Sequence, residues 1–124
     1  MHSQVSRSFA LVTLLLLPAG SVASVAQDPA LVNAKNIKVT LDNPRVRVME
    51  ATLRPGEKEQ MHSHPRYVVY VVEGGKVRNH NADGTTSDST FTPGQTIYRE
   101  PVTHWSENVG TTTIRTVVFE LKGQ

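Results

Sequence analysis

The chain reads as an all-β domain, a sandwich or a barrel. Three observations carry this: short β-type runs alternate with turn signals along most of its length, no window of 11 or more residues shows helical periodicity, and Val and Thr are abundant among residues that are 38% hydrophobic and only 6% aromatic. The 124 residues allow one small domain. With no cysteine, disulfides, thiolate metal sites, Fe–S clusters and a Cys nucleophile are excluded. The 13 Lys and Arg stand against 11 Asp and Glu, without a basic run, which argues against a nucleic-acid partner.

Residues 1–26 have the pattern of a secretory signal peptide. Arg7 gives a short positive start, Phe9 to Leu17 an apolar core, Pro18 and Gly20 a break, and Ser24-Val25-Ala26 small residues before a cut at Gln27. A cut after Ser21-Val22-Ala23 is the alternative. The apolar run is far shorter than the roughly 20 residues of a spanning helix, so no stable membrane anchor is expected after cleavage. The protein is therefore expected to be exported, periplasmic or secreted.

Residues 27–36 are small and polar and are expected to form an N-terminal arm leading into a domain over 37–124. The expected strands are Ile37–Leu41, Val46–Leu53, Tyr67–Val72, Lys76–His80, Thr85–Phe91, Thr96–Tyr98 and Thr111–Leu121. Turn signals separate them: Asp42-Asn43-Pro44, Pro55-Gly56, Gly74-Gly75, Asn81 to Gly84, Thr92-Pro93-Gly94 and Val109-Gly110. Seven to nine strands fit a chain of this size. Tyr67 to Val72 and the last run are apolar in both phases, so both faces should be covered. One would fill the interior and the other pack on a second copy, which predicts a homodimer.

Three histidines stand in strand contexts. His62 and His64, at i and i+2, point to one side of a strand, and His104 comes from another strand. Imidazoles converging in this way are a common metal-ligand set. His80, beside the Asn81–Gly84 turn, is expected to be exposed.

These residues resemble the two motifs of the cupin superfamily. The first, G(X)5HXH(X)3,4E(X)6G, is matched by Gly56, His62-Ser63-His64 and the closing Tyr70 to Gly74. The second, G(X)5PXG(X)2H(X)3N, is matched by Gly94, His104 and Asn108, with Pro101 ahead of the histidine. The resemblance spans Val46 to Leu121 and implies a small jelly-roll β-barrel of about eight strands. It also implies a divalent metal ion (Fe, Mn, Zn, Ni or Cu) on His62, His64 and His104. Two departures stand out. The motif glutamate is absent: counting back from Gly74 its place falls on Tyr67, and from Gly75 on Val68, with the Tyr70–Gly74 match favouring the first. The PXG is replaced by Glu100-Pro101-Val102-Thr103, one residue short.

A three-His centre without the carboxylate is similar to those of cysteine dioxygenase, gentisate-type dioxygenases and a diketone-cleaving dioxygenase. The resemblance thus implies a metal-dependent enzyme on a small polar metabolite, of dioxygenase type. The alternative is a non-catalytic cupin that binds a metal or small ligand, since one fold hosts many functions. Zn and Cu bind imidazole more tightly than Fe(II) does, so the metal an exported chain acquires is left open. Tyr67 and Gln60 are the candidate catalytic residues. Tyr67 would face the interior with Val69 and Val71, and Gln60, two before His62, would share its strand face and touch substrate or cap the barrel mouth. Arg66 and Arg99 are candidates for a substrate carboxylate, or solvated surface groups. Trp105 should point away from the interior, and Asn108 is expected to tie the strand end to a turn.

Overall fold

The computed structural model describes residues 27–123; the expected leader 1–26 lies outside them. Its strands are β1 (Ile37–Asp42), β2 (Val46–Leu53), β3 (His62–His64), β4 (Tyr67–Glu73), β5 (Gly75–Asn81), β6 (Thr86–Phe91), β7 (Thr96–Arg99), β8 (Val102–Asn108) and β9 (Ile114–Leu121). They form two antiparallel sheets, β1-β2-β9-β4-β7 and β3-β8-β5-β6. The fold is a small all-β jelly roll. Seven of the nine strands coincide with the runs read from sequence to within three residues at either end. The short β3 and the polar β8 add to them, and those two carry the histidines.

The expected arm is more than a lead-in. Its Pro29–Val32 segment is one helical turn, α1, with Asp28 as N-cap: the Asp28 carboxylate accepts from the Ala30 N–H at 2.8 Å, and Pro29 opens the turn where no donor is needed. The arm also lies against the edge of β3, where Ser63 donates its N–H to the carbonyl of Gln27.

Alternation along β4 settles the register. Tyr67, Val69 and Val71 are buried, whereas Tyr70 and Val72 are exposed, so Tyr67 takes the inward place. Ile37, Met49, Tyr67, Val69 and Val118 form the main core cluster between the sheets. Leu53, Val77 and Ile114 form a second that joins β2 and β9 to β5 of the opposite sheet. On the outward face, Leu41, Val48, Phe119, Val68 and Tyr98 are successive cross-strand partners over all five strands of the larger sheet. This row is the outward half of strands apolar in both phases.

Turns sit where the sequence places them. The β5–β6 hairpin turns at Gly84, whose φ of +87° favours glycine. Gly74 is needed for space: a Cβ there would meet the Phe91 carbonyl oxygen at 2.1 Å. Asn108, at the end of β8, is fully buried. Its amide donates to the carbonyls of Leu53 and Thr112, each at 2.8 Å, and its carbonyl accepts from the Gly110 N–H at 3.0 Å. One side chain thereby serves three backbone groups at the junction of β2, β8 and β9. Asn108→Ala should lower the stability by about 2–4 kcal/mol, since buried backbone groups lose their partners. Urea denaturation will measure it.

Candidate metal centre

Short β3 pairs with β8 so that His62 lies directly opposite His104 and Ser63 opposite Thr103. The two-residue period of β3 then turns His64 to the same side as His62. The ring centroids are 4.8 Å apart for His62–His64, 4.9 Å for His62–His104 and 5.5 Å for His64–His104. All three side chains are buried. Each offers one nitrogen, and these nitrogens lie within 4.8 Å of one another. The rings line a cavity of about 350 Å³ between the sheets.

Hydrogen bonds set which nitrogen faces the cavity. Asn33, in the arm, pairs with the backbone of Gln60: its carbonyl accepts the Gln60 N–H at 2.6 Å and its amide donates to the Gln60 carbonyl at 3.3 Å. That carbonyl lies 2.8 Å from Nδ1 of His62. The Asn33 amide also stands 3.1 Å from Nδ1. The shorter contact is with the carbonyl, which only accepts, and it assigns the proton to Nδ1 and the free lone pair to Nε2, with the amide donating to the Gln60 carbonyl instead. His64 is fixed similarly by Glu120, whose Oε1 accepts from Nδ1 at 2.7 Å. Glu120 is held in turn by Arg47 at 2.8 Å, and Arg47 reaches Asp28 at 2.5 Å. Burial would raise the Glu120 carboxyl, but the bonds from His64 and Arg47 hold it below its ordinary value. Such outer partners orient ligand imidazoles.

Burial, reinforced by the neighbouring histidines, lowers His62 to about 4 and His104 to about 3. Both are neutral at pH 7, as ligation requires. Nitrogen donors with free lone pairs, a buried location and adjoining empty volume fit a divalent ion with positions left for a ligand.

Tyr67 lines the same cavity, its ring stacked on His64 at 4.5 Å. Burial pushes its hydroxyl up to about 12, so the proton stays on. Arg99, opposite Tyr67 in the β4–β7 ladder, also lines the cavity, while Arg66 faces Glu100 at 3.8 Å. Gln60 is placed differently from the expectation. It precedes β3 in irregular chain, so strand alternation does not apply; its side chain is exposed and is not among those lining the cavity. It bears on the site through its backbone. His80, expected to be exposed, is half-buried: it stacks on Trp105 at 3.6 Å and meets Glu107 at 3.1 Å, on the outward face of its sheet.

The sequence reading missed Glu59. It lines the cavity, with Oε2 4.0 Å from Nε2 of His62, and accepts from the Ser106 N–H at 3.1 Å. Burial raises it to about 7, against the pull of Ser106. The chain lacks the motif acid behind His64 and brings one from ahead of His62 into the cavity. Its position before the HXH, outside any strand, gave no periodic signal. Glu120 and Asn33 were missed too: Glu120 is 56 residues from His64, which it orients directly, and Asn33 is 29 residues from His62, which it positions through the Gln60 backbone.

In metal-free protein these groups predict opposing pH effects. His62 and His104 titrate near 6.5 when unfolded and near 4 and 3 when folded. The unfolded state therefore binds more protons below pH 6.5, and stability falls as pH falls. Glu59 titrates near 4.5 unfolded and about 7 folded, so it adds stability as pH falls from 7 to 4.5. Glu59→Gln removes that opposition. Between pH 6.5 and 4.5 the variant should lose stability more steeply, by up to about 1.4 kcal/mol per pH unit. Urea midpoints across this range will measure it, and an unchanged slope would contradict a protonated Glu59.

No family model matches the chain, and no curated protein matches it. Solved structures do. A cupin domain from Bordetella pertussis is 31% identical, with 70% of this chain and 92% of that one covered and a TM-score of 0.64. An RmlC-like cupin with a double-stranded β-helix fold from Methanocaldococcus jannaschii is 16% identical over 83% of this chain and 94% of that one, TM-score 0.56. A cupin-like protein from Thermotoga maritima is 17% identical over 69% and 67%, TM-score 0.55. The last two share the fold alone.

Proposed function

This chain belongs to the cupin superfamily, and from that premise we propose that it is a divalent-metal-dependent enzyme acting on a small polar metabolite inside the barrel, of the three-His dioxygenase type. The observation that carries the reading is the convergence of His62, His64 and His104 at one wall of a cavity with room for a ligand. When bound, the ion supplies a Lewis-acid centre that accepts a chelating substrate and, if redox-active, dioxygen. The chain's own residues orient and shield. Glu120 and the Gln60 carbonyl hold Nδ1 of His64 and of His62, which leaves their Nε2 atoms for the ion. Met49, Val69, Ile97 and Val102 wall the cavity with apolar surface, which strengthens electrostatic contacts inside it. Tyr67 keeps its proton and would offer a hydrogen bond to an oxygen of the substrate, and Glu59 stands where it can hold or return a proton.

Metal analysis of protein from its native host, followed by oxygen uptake with small chelating acids and diketones, tests this. His104→Ala should lose most of the bound metal, and retention of stoichiometric metal would overturn the three-His reading. Tyr67→Phe should keep fold and metal but reduce turnover about ten- to hundredfold, the worth of a hydrogen bond to a charged group. Full metal with no turnover on any substrate would favour the binding-protein alternative.

Export and pairing with a second copy belong to the same proposal. The signal pattern of residues 1–26 supports the first, and the outward apolar row through Phe119 and Val68 supports the second. Native mass spectrometry of protein from the exported fraction should find a dimer whose chains begin near Gln27. An intact Met1 or a monomer would refute the corresponding part.

A further inference from the structure

Arg99 is the one Arg or Lys among the described residues that line the cavity. It sits on β7, directly across from Tyr67, and is exposed, which places it at the cavity mouth. No carboxylate lies within ion-pair distance of it among the described residues. The acids nearby are already engaged: Glu100 with Arg66 at 3.8 Å, Glu120 with Arg47 and His64, and Glu59 with Ser106. A guanidinium at the mouth, a proton-bearing Tyr67 hydroxyl and three imidazoles share one cavity with two acids, Glu100, which faces Arg66, and Glu59, which burial raises to about 7. A divalent ion on the histidines would make its net charge positive.

We propose that the ligand of this cavity is a small carboxylate, its carboxyl group held by Arg99 at the mouth and its remaining oxygen functions directed past Tyr67 to the histidine cluster. A guanidinium fork matches a carboxylate in two parallel hydrogen bonds. The volume of about 350 Å³ admits a small metabolite and no polymer. The inner contact rests on the metal reading above; the Arg99 contact does not.

Calorimetric titration with oxalate, malonate, pyruvate and lactate, and with neutral pyruvamide, tests this on zinc-loaded and metal-free protein. Wild type should bind at least one of the carboxylates. R99Q should weaken that binding about ten- to hundredfold in both forms, with metal content and thermal melting unchanged. R99K should recover part of the loss, and pyruvamide should not respond to either substitution. Equal affinity of R99Q and wild type, or no binding of any carboxylate by wild type, overturns the proposal. Arg99-dependent binding in protein that takes up no zinc would uphold the anion site while refuting the metal reading.

Discussion

The pairing of β3 with β8 is the contact on which the site depends, because it sets His62 opposite His104 and turns His64 to the same side. β3 is only three residues long and has a strand partner on one side. It is held on the other by the arm, through the Gln27 carbonyl, and behind by Asn33. The arm therefore completes the sheet edge that carries two of the three imidazoles. Asp28 extends the same support from the N-cap of α1 through Arg47 and Glu120 to His64.

Burying imidazoles beside one another in an apolar barrel is costly unless their polar atoms are partnered. Here the cost is offset at His62 and His64 by hydrogen bonds from Nδ1, and at Glu120 and Glu59 by donors that face each acid. Removing one member would leave its partner's charge buried and unmatched, which costs more than the pair itself contributes. Stability resides largely elsewhere. The wide sheet, with Met49, Val69 and Val118 packed inward, forms a rigid floor, and the histidines stand on the smaller sheet above it. That division leaves a cavity where the two layers do not fully interdigitate.

The acid that the first cupin motif places behind its histidines is absent here, and a tyrosine takes that inward place. Tyr67 brings a ring that stacks on His64 and a hydroxyl that keeps its proton. Glu59, ahead of the histidine pair in the chain, returns a carboxylate to the cavity and is held by Ser106. The charge near the centre is thus rearranged around the histidines, with its acid ahead of His62.

Seven strands, their turns, the inward Tyr67-Val69-Val71 phase and the three histidines were all legible in the chain. Each is a local property: alternation has a period of two, a turn needs its glycine or asparagine, and the motif residues keep their spacing. The same local rule misplaced Gln60, because alternation fails outside a strand, and left His80 exposed, because its Trp105 partner lies on a neighbouring strand. Glu59, Glu120, Arg47 and Asn33 carried no such signal. They reach the imidazoles only through the arm, an irregular segment and strands far along the chain. Which acid faces which histidine, and therefore which nitrogen is free for a metal, was decided by the closing of the two sheets.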